Sequence, residues 1–219
     1  MKTIVQLAEL FNTDKKMDNG KPSVNGLPGH NYAEIYDKYL KDFKVEKMLE
    51  IGVARGRSLM MWNRYFDYEA EIHGIDIDIK QSENEFIYPV HLHQGDQKDI
   101  DWLNKEFDGM EFDLIIDDGS HRMKDQQVSL KTLFPKLRSG GLYVIEDLHT
   151  SNIPSFYSNP ENTFETTTIG LLESFSDLHG HTGNHYINID EQLKLFNNIK
   201  GIELYTTKNK YKIGFITKK

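Results

Sequence analysis

The chain has 219 residues, 38% of them hydrophobic, which suits one α/β domain with a small appendage and leaves little room for two full domains. Acidic residues outnumber basic ones 34 to 26 for a net charge of −8, so neither a nucleic-acid backbone nor an anionic membrane is the expected main partner. There is no cysteine, which excludes disulfides, thiolate zinc sites and cysteine nucleophiles and leaves O and N ligands for any metal.

The opening MKTIVQLAELFN has one lysine but no unbroken apolar run, and eighteen apolar residues never occur together, so a cytoplasmic protein without a membrane span is expected. A Gly-, Pro- and Asn-rich stretch from Asp18 to Gly29 follows this amphipathic segment. Tyr32 to Phe43 then places Ile35, Tyr36, Tyr39 and Leu40 at helical spacing, so residues 1–43 read as a helical cap or lid and residues 44–219 as the main domain. In the main domain the strand candidates are Lys47 to Gly52, Glu71 to Asp76, Pro89 to His93, Phe112 to Asp117, Leu142 to Glu146, Gly201 to Thr206 and Lys212 to Thr217. Most are nearly all apolar, as in a parallel sheet covered on both faces, with helices predicted at Ser58 to Phe66, Ile100 to Phe107 and Arg122 to Leu137. The link Thr207 to Tyr211 is long enough only for a hairpin, so the last strand should run antiparallel in a Rossmann-like sheet.

Sheets of this kind bind ligands beyond the carboxyl ends of their strands. The first such turn is Glu50 to Ser58, where Gly52 and Gly56 admit close backbone approach and the following helix N-terminus favours an anionic group; a tight turn without a ligand is the competing reading. Asp76 ends the next strand 24 residues after Gly52, where a carboxylate accepts hydrogen bonds from both ribose hydroxyls of an adenosine. The G-x-G-x-x-G spacing of a dinucleotide site is missing, which favours S-adenosylmethionine (SAM) over NAD. Asp96 suits an adenine amino group, or equally a solvated loop or a helix cap. Strands four and five end in Asp117-Asp118-Gly119-Ser120-His121 and Glu146-Asp147-Leu148-His149, so four carboxylates are expected to meet at one edge of the sheet. Such crowding calls for a hard cation such as Mg²⁺, Mn²⁺ or Ca²⁺, unless the acids only cap helices and pair with lysines. His121 is the best-placed general base and His149 the second. His179, His181 and His185 have a spacing that suits zinc, but their flanking glycines read as a loop.

These residues resemble the class I SAM-dependent methyltransferases, and within them the metal-dependent sugar O-methyltransferases of macrolide biosynthesis, grouped with cephalosporin hydroxylase-like proteins. The likeness runs from Leu10 to about Ser151 and rests on Thr13-Asp14-Lys15, His30-Asn31-Tyr32 with Tyr36, Glu50 to Val53, Gly74 to Ile77, IIDDGSH at 115–121, LFPKL at 133–137 and GGLYVIEDLHTS at 140–151. It implies a seven-stranded sheet of order 3-2-1-4-5-7-6 with SAM over Glu50, Gly52, Gly56, Ser58 and Asp76, and Asp96, Asp117 and Tyr36 completing its contacts. It further implies Mg²⁺ (or Mn²⁺) on Asp118, Glu146 and Asp147, with His121 and the Asp118-bound metal activating the acceptor. The expected reaction is O-methylation of a sugar or glycosylated small molecule, and self-association is compatible with it. A phosphoramidate or catechol-like acceptor, or a non-catalytic or NAD-binding protein of the same fold, is the alternative.

Overall fold

The computed structural model describes residues 2–23, 26–79, 90–157, 163–176 and 186–219. The zinc reading of His179, His181 and His185, and the Pro89 end of the third predicted strand, lie outside the described residues. Seven strands form one sheet of order β3-β2-β1-β4-β5-β7-β6: β1 (Lys47–Ile51), β2 (Glu71–Asp76), β3 (Val90–Gln94), β4 (Phe112–Asp117), β5 (Leu137–Ile145), β6 (Ile199–Thr206) and β7 (Lys212–Lys218). The first five are parallel, and β7 runs antiparallel between β5 and β6. This is the expected order and the expected reversal.

Period-two alternation gives β1, β2, β4, β5 and β7 two buried faces, while β3 and β6 at the sheet edges are largely half-buried or exposed. Met48, Leu114, Ile116, Val144 and Phe215 point to one face, where they pack with α1 (Ile4–Phe11), α2 (Ala33–Leu40) and α3 (Arg57–Tyr65). Leu49, Ile51, Ile115, Tyr143 and Ile145 point to the other, against α4 (Ile100–Glu106), α5 (Met123–Leu133), α6 (Thr168–Ser176) and α7 (Ile189–Asn198). Helices α1 and α2 thus share their core with the central strands through Ile4, Leu7, Ala33 and Tyr36. Among the described residues no helix is long and apolar enough to cross a membrane.

Helix α5 stops at Leu133 rather than continuing to Leu137, because Pro135 has no N–H to donate back to the Lys131 carbonyl and the chain tightens into a 3-10 turn, Phe134–Lys136. Strand β5 accordingly begins at Leu137, five residues earlier than its apolar run suggests. Helices α6 and α7 were not anticipated; α7 carries a capping box in which Asn188 and Glu191 bond each other's backbone amides.

Candidate active site

A cleft of about 500 Å³ opens at the carboxyl ends of β1, β2 and β4. Its walls include Gly52, Ser58, Asp76, Asp96, Gln97, Asp118 and His121. The Asp76 carboxylate accepts from the amides of Val53 at 2.9 Å and Ala54 at 2.8 Å, which folds the β1–α3 turn around it. Gly52 has φ of +90°, and a Cβ there would collide with the Asp118 carbonyl group, its carbon only 2.6 Å away. Glycine is required because neighbouring β1 and β4 bring their ends together at this point. Arg55 and Arg57 are exposed and line the mouth of the cleft.

Beside the cleft lies an acidic cluster built on the α1–α3 face. Glu50, Asp118 and Glu146 follow strand residues whose parity sends their side chains to this face, and the fully buried Lys15 stands among them. Its Nζ lies 2.5 Å from Asp118, 3.2 Å from Glu146 and 3.5 Å from Glu50. Lys15 is held there by a backbone clamp: His30 donates to the Asp14 carbonyl, Asn31 to Lys16 and Ala33 to Lys15. Burial alone would lower the Lys15 ammonium, but Asp118, Glu146, Glu50 and Asp14 hold it well above its ordinary value. Burial pushes Glu50 up to about 7 against the pull of Lys15. Burial and the neighbouring Asp118 likewise raise Glu146, and burial raises Asp118. Tyr36 donates to Glu146 at 2.5 Å. One ammonium therefore faces two buried carboxylates, Glu50 and Glu146, and the partly buried Asp118, and the imbalance favours a further positive charge.

Asp147 adds a second centre. Tyr32 donates to its Oδ1 at 2.8 Å, and His30, His121 and His149 approach it at 3.4, 3.6 and 3.8 Å. Burial works to raise its carboxyl, yet His121, His30, Tyr32 and His149 together hold it below its ordinary value. One ligand atom each from Asp118, His121 and Asp147 lie within 4.8 Å of one another. Glu146 Oε2 and His121 Nδ1 are buried without a hydrogen-bond partner among the described residues. His121 and Asp147 both hold left-handed backbone, φ +58° and +53°, which costs non-glycine residues about 1–3 kcal/mol each. Oxygen donors joined by an imidazole and an unpaired carboxylate oxygen fit a hard divalent cation.

Of the residues expected at the cofactor, Gly52, Ser58, Asp76 and Asp96 line the cleft, while Glu50, Gly56, Asp117 and Tyr36 stand behind its wall. Glu50 accepts from Ser58 Oγ at 2.7 Å and Trp62 Nε1 at 3.2 Å, and so braces the turn from beneath. Gly56, at φ +71°, caps α3. The four acids do not all meet: Asp117 has the opposite parity to Asp118 and turns to the α4–α5 face, where Gln97, Ser129 and Tyr143 bond it and burial pushes it up to about 6. Gln97 also accepts from the Ser120 amide at 2.7 Å, pinning the loop that carries His121. Asp99, and not Asp96, caps α4, while Asp96 pairs with Lys98 at 3.1 Å. Lys15 and Gln97 carried no expectation of their own. The Thr13-Asp14-Lys15 string of the family likeness was the available signal for the first; the second had none.

Residues 49–148 match the family model described as a methyltransferase domain. The chain is 36% identical over 164 residues to mycinamicin VI 2''-O-methyltransferase of Micromonospora griseorubida, covering 69% of this chain and 40% of that protein. It is 37% identical over 163 residues to a tetracenomycin-C rhamnosyl 3'-O-methyltransferase of Streptomyces olivaceus, covering 68% of this chain and 41% of that one. A solved structure of the MycE methyltransferase of mycinamycin biosynthesis, in complex with Mg, SAH and mycinamycin VI, superimposes with a TM-score of 0.76 at 30% identity, over 99% of this chain and 54% of that one. The fold is that of the class I methyltransferases, and residues 49–148 carry the match to their domain. Within that class it resembles the O-methyltransferases that act on the sugars of macrolides and tetracenomycins, and it spans less than half the length of the curated relatives.

Proposed function

We propose that this domain transfers the methyl group of SAM to a hydroxyl of a sugar or glycosylated small molecule, with a divalent metal, Mg²⁺ or Mn²⁺, at the acidic centre. The observation that carries the reading is the convergence of Asp118, His121 and Asp147 beside a cleft walled by Gly52, Ser58 and Asp76. SAM would lie in that cleft, its ribose toward Asp76 and its adenine toward Asp96. The relatives add the acceptor class, since the likeness is to sugar O-methyltransferases of macrolide and tetracenomycin glycosides.

Asp118 and Asp147 would hold the metal, and Glu146 would join them through its unpaired Oε2. When bound, a divalent metal supplies Lewis acidity, which in favourable sites lowers the pKa of bound water from 15.7 to about 7. His121 Nε2 stands 3.6 Å from Asp147 and faces the cleft, so it is the group placed to take the acceptor proton. Asp147 would stabilise the resulting imidazolium. His149 shares Asp147, but it is absent from the residues that wall the cleft. Lys15 and Tyr36 hold Glu146 and Asp118 in register, and residues 1–43 act as a cap closing that side of the site. Cytoplasmic residence belongs to the same proposal, supported by the intracellular supply of SAM.

The test is an acceptor screen with SAM and Mg²⁺, read by mass for the addition of one methyl group to free sugars, nucleotide sugars and glycosides. Transfer to a sugar hydroxyl of any of these supports the full reading. Turnover only of catechols or phosphoramidates would keep the chemistry and replace the substrate.

A further inference from the structure

The opposite end of the sheet carries a cluster that methyl transfer does not use. Glu71 and His73 are two residues apart on β2 and so face the same way, and His91 on the edge strand β3 is the register partner of His73. Glu71 Oε1 lies 2.9 Å from His73 Nε2 and 3.7 Å from His91 Nε2. His73 Nδ1 meets His93 Nε2 at 2.9 Å, and His93 Nδ1 meets Glu106 on α4 at 2.7 Å. Lys47 binds the other oxygen of Glu71 at 2.9 Å.

The hydrogens in this chain can be counted. Three successive contacts, Glu106 to His93, His93 to His73 and His73 to Glu71, each require one N–H, and two neutral imidazoles carry only two. Starting from Glu106, whose carboxylate can only accept, His93 donates from Nδ1 and must accept at Nε2 from His73 Nδ1. His73 Nε2 is then left with a lone pair facing the lone pairs of Glu71 Oε1. A third proton or a cation must occupy that contact. The proton would place a charge on the paired rings, of which His73 is only 3% exposed, and would leave His91 without a part. A metal uses all three donors.

We propose that Glu71, His73 and His91 form a second metal site, for a zinc-like transition ion, independent of the catalytic centre. Two imidazoles and one carboxylate are a common zinc donor set. Ligands about 2.0–2.1 Å from a tetrahedral ion stand about 3.3 Å apart, midway between the two separations found here. His93 and Glu106 then serve as the outer hydrogen-bonding partners that fix the ring of a metal-bound histidine, and Lys47 orients the carboxylate. Because Glu71 opens β2 and the cleft lies beyond its other end, this ion has no route to the substrate. It would fasten the edge strand β3 to the sheet.

The experiment is metal analysis and calorimetry of the whole chain titrated with Zn²⁺ in excess Mg²⁺. It compares the parent with Asp118→Asn, which disarms the catalytic centre, and with His91→Ala, whose half-exposed side chain can be removed without opening the core. One Zn²⁺ per chain in the parent and in Asp118→Asn, weakened in His91→Ala beyond the roughly 10- to 100-fold that losing an outer partner costs, is the expected result. A thermal shift with Zn²⁺ that vanishes in His91→Ala should accompany it. Equal Zn²⁺ binding by parent and His91→Ala, or loss of binding in Asp118→Asn alone, would overturn the site. Failure of the parent to retain Zn²⁺ would assign the third contact to a proton instead.

Discussion

Replacing Lys15 by methionine removes one charge while keeping an unbranched apolar stem of similar length. The parent ammonium is fully buried with Asp118, Glu146 and Glu50 at 2.5, 3.2 and 3.5 Å, so the substitution leaves buried carboxylates without their counter-charge. Breaking a buried pair in this way costs about 3–5 kcal/mol, which at about 2–4 °C per kcal/mol for a chain of this size lowers Tm by roughly 6–20 °C. The pH dependence follows from the carboxyls. The folded-state pKa of Lys15 is raised, so its contribution is fully present below its unfolded value and stays intact across neutral pH. Glu50 is raised from 4.5 to about 7, so the folded state prefers its proton, and stability falls as pH rises through that interval. Without Lys15 the carboxyls rise further, and the deficit of the variant should grow from pH 5 to pH 8. Mg²⁺ should recover part of it by neutralising the same acids. Denaturant titrations in EDTA at three pH values, repeated with Mg²⁺, measure all of this. A loss below about 1 kcal/mol, independent of pH, would refute the role of Lys15 as the internal counter-ion.

At a hundredfold excess over its dissociation constant, S-adenosylhomocysteine should stabilise the domain by about 2.7 kcal/mol, and NAD should not; a thermal scan with the reverse pattern would remove SAM from the cleft. Asp76→Ala should weaken that binding, because the carboxylate shapes the Val53–Ala54 turn and lines the cleft proposed for SAM. Gly52→Ala should lose S-adenosylhomocysteine binding and stability together, since its Cβ has no space against Asp118 and its φ is +90°; calorimetry giving parental affinity would show that the β1 and β4 ends part easily. His121→Ala should lower turnover roughly a hundred- to ten-thousandfold and His149→Ala much less. Single-turnover rates that rank the two the other way would move the base to His149.

The strands and the antiparallel last strand were legible because apolar runs of four to six residues and a five-residue link leave few alternatives, whereas the strand order followed from the family likeness alone. The division of the site was not, although its rule is equally simple. Adjacent acids at a strand end face opposite sides of the sheet, so Asp117 and Asp118 could not both join one cluster, and Glu50, two residues beyond Met48, had to join Asp118 instead. Lys15 depended on distant chain: its place is set by backbone bonds between residues 14–16 and 30–33, which no local periodicity records. Helix α7 did have a local signal, the Asn188 and Glu191 capping box, ahead of Gln192 and Leu195 at helical spacing.

The same parity gives the two faces of the sheet different tasks. On the α1–α3 face the strand ends deliver Glu50, Asp118 and Glu146 to Lys15, and the charge left uncompensated there is what makes a cation favourable. On the α4–α5 face Asp117 meets neutral partners, Gln97, Ser129 and Tyr143, and Gln97 reaches on to the Ser120 amide. Neighbouring acids of one dipeptide thus divide the work: Asp118 lines the cleft and pairs with Lys15, while Asp117, through Gln97, anchors the turn that holds His121 at φ +58°. Strain of that kind persists only where the surroundings over-determine it. Asp117→Asn should therefore disturb His121 without touching Asp118, lowering turnover while leaving metal affinity in place. Equal losses of metal affinity and turnover would show that the two faces are not separable.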